Sequence, residues 1–217
     1  MKNINWIDHL LNFVSVILGV SMAFYASNWS DDRKNKDESI RIVESLISEI
    51  EQDLRVYENH QLTRNRKQSE NLNRAIGKIQ KSDLDSLPHL IQRGIGYTNY
   101  YPRKATFNSI TSSGKFGLIE DYDLQIQISS YYEATAVEAR YRGETQVDFY
   151  KEHFMPMIIE STDLLNPKIE DIDLKKLTNM LLLYQNMINA KVSKYEEVVE
   201  KGKALSDSLA AYKDQLL

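Results

Sequence analysis

The sequence predicts an all-α protein in which one N-terminal transmembrane helix continues into a long-helix bundle with coiled-coil-like seams. Three observations carry that prediction. The 18 residues from Leu10 to Ser27 include no charged side chain. Apolar residues then recur at alternating steps of three and four in two long segments. Gly (8) and Pro (4) are scarce over 217 residues, so little interrupts helix propagation. Length favours one folded domain behind an anchor, with residues 1–29 as the anchor and 30–217 as the bundle.

The apolar run is close to the roughly 20 residues a helix needs to cross a hydrocarbon core. Trp6 and Trp29 bracket it, where interfacial indoles anchor a spanning helix. A signal peptide fits less well, because its basic flank would be Lys2 alone and the run is long, although "ASNW" imitates a small-residue cleavage site. A buried soluble helix is the other alternative. Within the run, Asn12, Ser15, Gly19, Ala23 and Ala26 line one stripe of small or polar side chains. Such a stripe suits close approach of a second helix, from another copy or another membrane protein, and lipid offers the Asn12 amide no partner. Ser, Gly and Ala are also common in spanning helices for no such reason. Arg33, Lys34, Lys36 and Arg41 follow the run, which by the positive-inside rule places the C-terminal domain in the cytoplasm; the interleaved Asp31, Asp32, Asp37 and Glu38 weaken the rule and leave the periplasm open.

The first long helix is expected at about 31–81. Ile40, Val43, Ile47, Ile50, Leu54 and Tyr57 form its seam; a polar stretch runs from Asn59 to Asn71, and Leu72, Ile76 and Ile79 resume the stripe. An irregular middle covers 82–120. Ser82 or Asp83 is expected to cap a short helix through Leu84, Leu87, Leu90 and Ile91, with Pro88 early in it or breaking it. A second short helix is expected over Lys104–Ser112, with Phe107 and Ile110 inward and Gly114 closing it in a left-handed conformation. Asp121 or Asp123 caps a long helix over about 121–162 through Leu124, Ile128, Tyr131, Tyr132 and Val137, with Pro156 kinking it and Pro167 stopping the segment.

The last helix, about 173–216, has the clearest period. Leu174, Leu177, Leu181, Tyr184, Ile188, Lys191, Tyr195, Val198, Gly202, Leu205, Leu209, Tyr212 and Leu216 follow steps of three and four, and of these only Lys191 and Gly202 are neither apolar nor aromatic. Such a seam packs against other helices, within the chain or across a homo-oligomer.

No residue pattern in the sequence points to a catalytic, cofactor-binding or metal-ligating role. "SSGK" at Ser112–Lys115 lacks the earlier glycine of a phosphate loop and is followed by Phe116. His9, His60, His89 and His153 have no helical metal-ligand spacing, no Ser sits in a nucleophile elbow, and Cys is absent. The net charge of −4 comes with no strongly basic block, so nucleic acid is not an expected partner. Tyr97, Tyr100, Tyr101, Phe107, Tyr122, Tyr131 and Tyr132 form the best candidate recognition cluster, for a protein or a small ligand, with core packing as the simpler use of the same rings.

In "ILGVSMAFYASNWSDDRK" and "ATFNSITSSGKFGLIEDYDLQIQISSYYE" the chain resembles an uncharacterised bacterial family of single-span membrane proteins carrying a helical domain of unknown function. The resemblance implies a single-pass protein of the bacterial inner membrane and supplies no catalytic residue. Together with the seams, it leads us to expect a membrane-anchored interaction or accessory subunit rather than an enzyme. The alternatives are a homo-oligomeric membrane assembly of pore type and a ligand-sensing bundle.

Overall fold

A computed structural model describes residues 6–161 and 173–217, with side chains given for 10–160 and from 173 onward. The expected stop at Pro167, the end of the third long helix near 162 and the side chain of Trp6 lie outside the described residues. All regular structure among the described residues is helical.

Helix α1 runs from Trp6 to Val56 without a break, so the apolar run and the charged "SDDRKNKDE" belong to one helix. A π-helical turn at Tyr57–Leu62 joins it to α2, Thr63–Gln80, whose C-cap is Lys81. The chain then reverses through α3 (Leu87–Gly94), an extended stretch, α4 (Ala105–Ser112) and a 3-10 turn at Lys115–Leu118. A third limb climbs again as α5 (Tyr122–Ser130), α6 (Ala136–Phe149) and α7 (Met155–Ser161), joined by π turns at Tyr131–Thr135 and Tyr150–Phe154. Helix α8, Leu174–Leu216, descends beside both long limbs.

Cross-limb pairs fix the directions. Lys213 meets Glu44, Lys203 meets Glu58 and Arg66 meets Glu196, so α8 is antiparallel to α1 and α2. Lys194 meets Glu138 while Tyr212 meets Glu120, so α8 is antiparallel to the third limb as well. The return segment also descends, with Thr98 beside Asn65, Tyr100 beside Tyr57 and Lys115 beside Glu38. The architecture is therefore an up-down-up-down bundle whose second limb is broken into short helices. The irregular middle occupies a bundle position and lines the core with Leu87, Ile91, Phe107 and Ile110.

Several seams differ from the sequence reading. On α1 the inward face is Ile42, Val43, Leu46, Ile50 and Leu54, while Ile40 and Ile47 are only partly covered. Val43, Ile50, Leu54 and Tyr57 of the expected seam are buried, and the departure is confined to Ile40 and Ile47, beside which Ile42 and Leu46 are buried instead. Beyond Tyr57 the π turn inserts an extra residue into the helical repeat and advances the inward face to Leu62, Asn65, Gln68 and Leu72. The stretch read as polar thus continues the seam. A π turn acts likewise at Tyr131, where Thr135, Ala136 and Ala139 are buried and Val137 is only partly so. Neither Ser82 nor Asp83 caps α3. Ser82 takes a positive φ of 57°, Asp83 pairs with Lys78, Leu84 stays exposed, and the helix starts at Leu87 with Pro88 in its first turn. Helix α7 carries Pro156 in its first turn directly after a π turn, where the chain continues helical.

Other expectations coincide with the structure. Asp121 caps α5, accepting from the Leu124 N–H at 2.9 Å, and Gly114 closes α4 with φ 73°. On α8 every seam position from Leu177 to Tyr212 is buried, and only the ends, Leu174 and Leu216, are not. That seam is consumed within the subunit.

Two apolar clusters result. One, between the start of the bundle and Tyr195, holds Val43, Leu46, Phe107, Ile128 and Leu209; the other, at the far end, holds Leu72, Leu87, Ile91, Phe154 and Leu181. Burial begins at Ser39, and from Leu10 to Trp29 every side chain is exposed.

Candidate functional site

The exposed N-terminal half of α1 is the first candidate. Its most apolar 18-residue window has a mean hydropathy of 1.8 and none of it is buried, and this is the one helix among the described residues long and apolar enough to cross a membrane. Asn12, Ser15, Gly19, Ala23 and Ala26 are all exposed, as are the larger Phe13, Val16, Val20 and Phe24 around them. Nothing lies within 4 Å of the position a Cβ on Gly19 would take. Trp29, 61% exposed, marks the end of the apolar stretch, beside an open groove that it shares with Arg33, Lys36 and the C-terminal Leu216 and Leu217.

The tyrosine cluster does not form one surface. Phe107, Tyr131 and Tyr132 are buried and in ring contact, Phe107 stacking on Tyr132 at 4.8 Å and Tyr132 meeting Tyr131 edge-on at 5.2 Å. Tyr100 packs edge-on against Tyr57 at 5.2 Å, and Tyr57 in turn meets Tyr195 at 4.9 Å. Tyr97 lies elsewhere, against Tyr150, while Tyr101 and Tyr122 are 60% and 72% exposed. Burial pushes the Tyr57, Tyr131, Tyr132 and Tyr195 hydroxyls well above the usual phenol range, so these rings stay neutral.

Two acids on the inward face of α1, absent from the sequence reading, tie down the return limb. Asp53, 1% exposed, accepts from the Tyr100 hydroxyl at 2.6 Å and from Arg103 twice, through Nη1 at 2.7 Å and the backbone N–H at 2.8 Å. Burial raises its pKa, and the hydrogen bonds from Tyr100 and Arg103 oppose that rise. One turn earlier, Glu49 accepts from the Thr106 N–H at 2.9 Å, in the first turn of α4, and from the Tyr132 hydroxyl at 3.2 Å. The orphan N–H groups of α4 thus find a carboxylate from another helix. Acids one turn apart on an otherwise apolar seam were the available signal.

A second polar layer separates the two apolar clusters. Lys191, fully buried, donates to the Thr98 carbonyl at 2.9 Å and to Gln146 Oε1. Gln146 donates to the Tyr184 hydroxyl at 3.1 Å, and that hydroxyl reaches the Gly96 carbonyl at 3.1 Å. Burial, and secondarily the charge of Arg64, lowers the Lys191 pKa to about 7. Both layers direct their polar groups to backbone and side chains of the bundle itself.

His60, His89 and His153 are exposed, and no group of three His, Cys, Asp or Glu among the described residues is placed to hold a metal. No curated protein and no solved structure matches the chain. A protein family described as a family of unknown function, DUF6090, matches residues 12–185, from within the exposed apolar helix into α8, and the chain belongs to that family.

Proposed function

We propose that this chain is a membrane-anchored helical interaction or accessory subunit, without catalytic activity of its own, that holds a partner at a bacterial inner membrane. The observation that carries the reading is the contrast within α1. Its C-terminal half is covered by α8 and the return limb, whereas the apolar stretch from Leu10 to Trp29 has no cover in the chain. An uncovered stretch of about 20 predominantly apolar residues is stable in lipid and costly in water. The bundle supports the rest of the reading, because its buried acids and lysine hold its own backbone and leave the outer faces of the limbs for a partner.

Self-association is a second reading, favoured by one observation. Helix α8 uses its seam inside the subunit, so the association surface for further copies is the exposed stripe Asn12, Ser15, Gly19, Ala23 and Ala26. Gentle extraction through a C-terminal tag, followed by mass measurement of the complex, separates the two. The accessory reading predicts a heteromeric complex. A homo-oligomer dispersed by Gly19→Leu with Ala23→Leu selects the second reading, and a monomer without partner contradicts both.

A further inference from the structure

Four cations stand together at the far half of the bundle without acidic partners. Arg64, Lys67 and Arg74 follow the same face of α2 at helical spacing, and Arg93 of α3 faces them across an open groove of about 880 Å³. Glu70 is the one acid lining the groove, and none of the four cations forms an ion pair among the described residues. Neighbouring cations such as Arg66 and Lys78 do have acidic partners. In a chain of net charge −4, this is a local reversal of sign.

Like charges one turn apart on a helix repel, so an unanswered set of this kind weakens the free protein and is relieved by an anion. Behind the lining lie acceptors without partners. Gln68 donates its amide N–H to the Gly96 carbonyl and leaves Oε1 buried without a partner, and Gln61 Oε1 is likewise unpartnered. Both side chains line the groove, and the Thr98 carbonyl behind it is held by Lys191. Cations for phosphate oxygens, and unsatisfied amide oxygens that a small movement of Gln61 or Gln68 would turn toward hydroxyl or amine hydrogens, make a complementary set.

We infer that the groove between α2 and α3 binds a small soluble phosphorylated molecule that carries hydroxyl donors, held by Arg64, Lys67, Arg74 and Arg93. The choice of a soluble molecule over a lipid headgroup rests on the anchor reading, since Arg64 then lies about 50 Å along the helix from Trp29. The site itself is independent of that reading.

The test is calorimetric titration of the full chain in detergent micelles with ADP, and with adenosine as the uncharged comparison. Binding of ADP and not adenosine is expected, weakened about tenfold by Arg64→Gln and again by Arg93→Gln, because each removes a charge-assisted hydrogen bond. Both positions are exposed, so unchanged melting temperatures will show that the variants fold. Lys201→Gln, which removes an equal charge outside the groove, is expected to leave the affinity unchanged. Absence of ADP binding at millimolar concentration, equal binding of adenosine, or an equal loss in Lys201→Gln would overturn the site. Displacement of ADP by a single-stranded oligonucleotide at far lower concentration would overturn it in favour of a nucleic-acid surface.

Discussion

Lys191 and Asp53 are charged residue types at positions where the bundle is otherwise apolar, and each carries a distinct prediction. The Lys191 pKa of about 7 lies below the ordinary lysine value, so between pH 7 and 10 the unfolded chain binds more protons than the folded one. Stability contributed through Lys191 therefore rises with pH across that window, by up to about 1.4 kcal/mol per unit; the penalty is complete below pH 7 and gone above the ordinary lysine value. Urea unfolding from pH 7 to 9.5 should show that slope, and Lys191→Met should flatten it. An identical slope in the variant would mean that the buried amine keeps its proton across this window, its pKa not lowered by burial. At Asp53 the asymmetry lies between partners. Arg103→Gln leaves a buried carboxylate short of its cation and should cost about 2–3 kcal/mol. Asp53→Asn removes the buried charge and leaves Arg103, half in water, to rehydrate, so it should cost less. The reverse order in chemical denaturation would contradict the account of that site.

At the scale of elements, Gly202 and Gly77 make a matched pair. A Cβ at Gly202 would meet Leu54 Cδ2 at 2.8 Å and Tyr131 at 3.2 Å, whereas one at Gly77 would meet nothing within 4 Å. Gly202→Ala should destabilise by about 1–3 kcal/mol through overpacking, and Gly77→Ala should stabilise by about 0.5–1 kcal/mol through helix propensity; thermal melts of the two variants check both signs. Asp121→Ala, which removes the α5 cap, should cost about 1 kcal/mol by the same measurement. What the sequence reveals about these elements follows a physical division. The α8 seam is legible because the helix is unbroken from Leu174 to Leu216 and its period never changes phase. The inward face beyond Tyr57 is not, because a π turn adds a residue and the next buried positions are Asn65 and Gln68, whose polarity imitates a solvated face. Helices α4 and α5 are legible through Gly114 and Asp121, whereas α3 begins later than its cap residues suggest because Ser82 turns with positive φ. The tyrosine cluster reads as one group along the chain and divides in space, since Tyr97 packs in the far cluster and Tyr100 packs beside Asp53.

For the molecule as a whole, the decisive feature is that one helix serves two environments. From Ser39 onward α1 is a limb of a bundle whose core closes without help, and from Leu10 to Trp29 it is largely apolar and uncovered. A chain from residue 31 onward should therefore be soluble and retain the helical content and cooperative melting of the bundle, as circular dichroism can test. Aggregation or loss of the melting transition would mean that the apolar stretch packs on the bundle. The central claim, that Leu10–Ser27 is an uncleaved anchor, is tested most directly by alkaline carbonate extraction of membranes from cells expressing the full chain, with the intact mass of the extracted protein as readout. The account predicts a chain of full mass retained in the membrane pellet. Release of the full chain into the supernatant, or a chain shortened by its first segment, would contradict it.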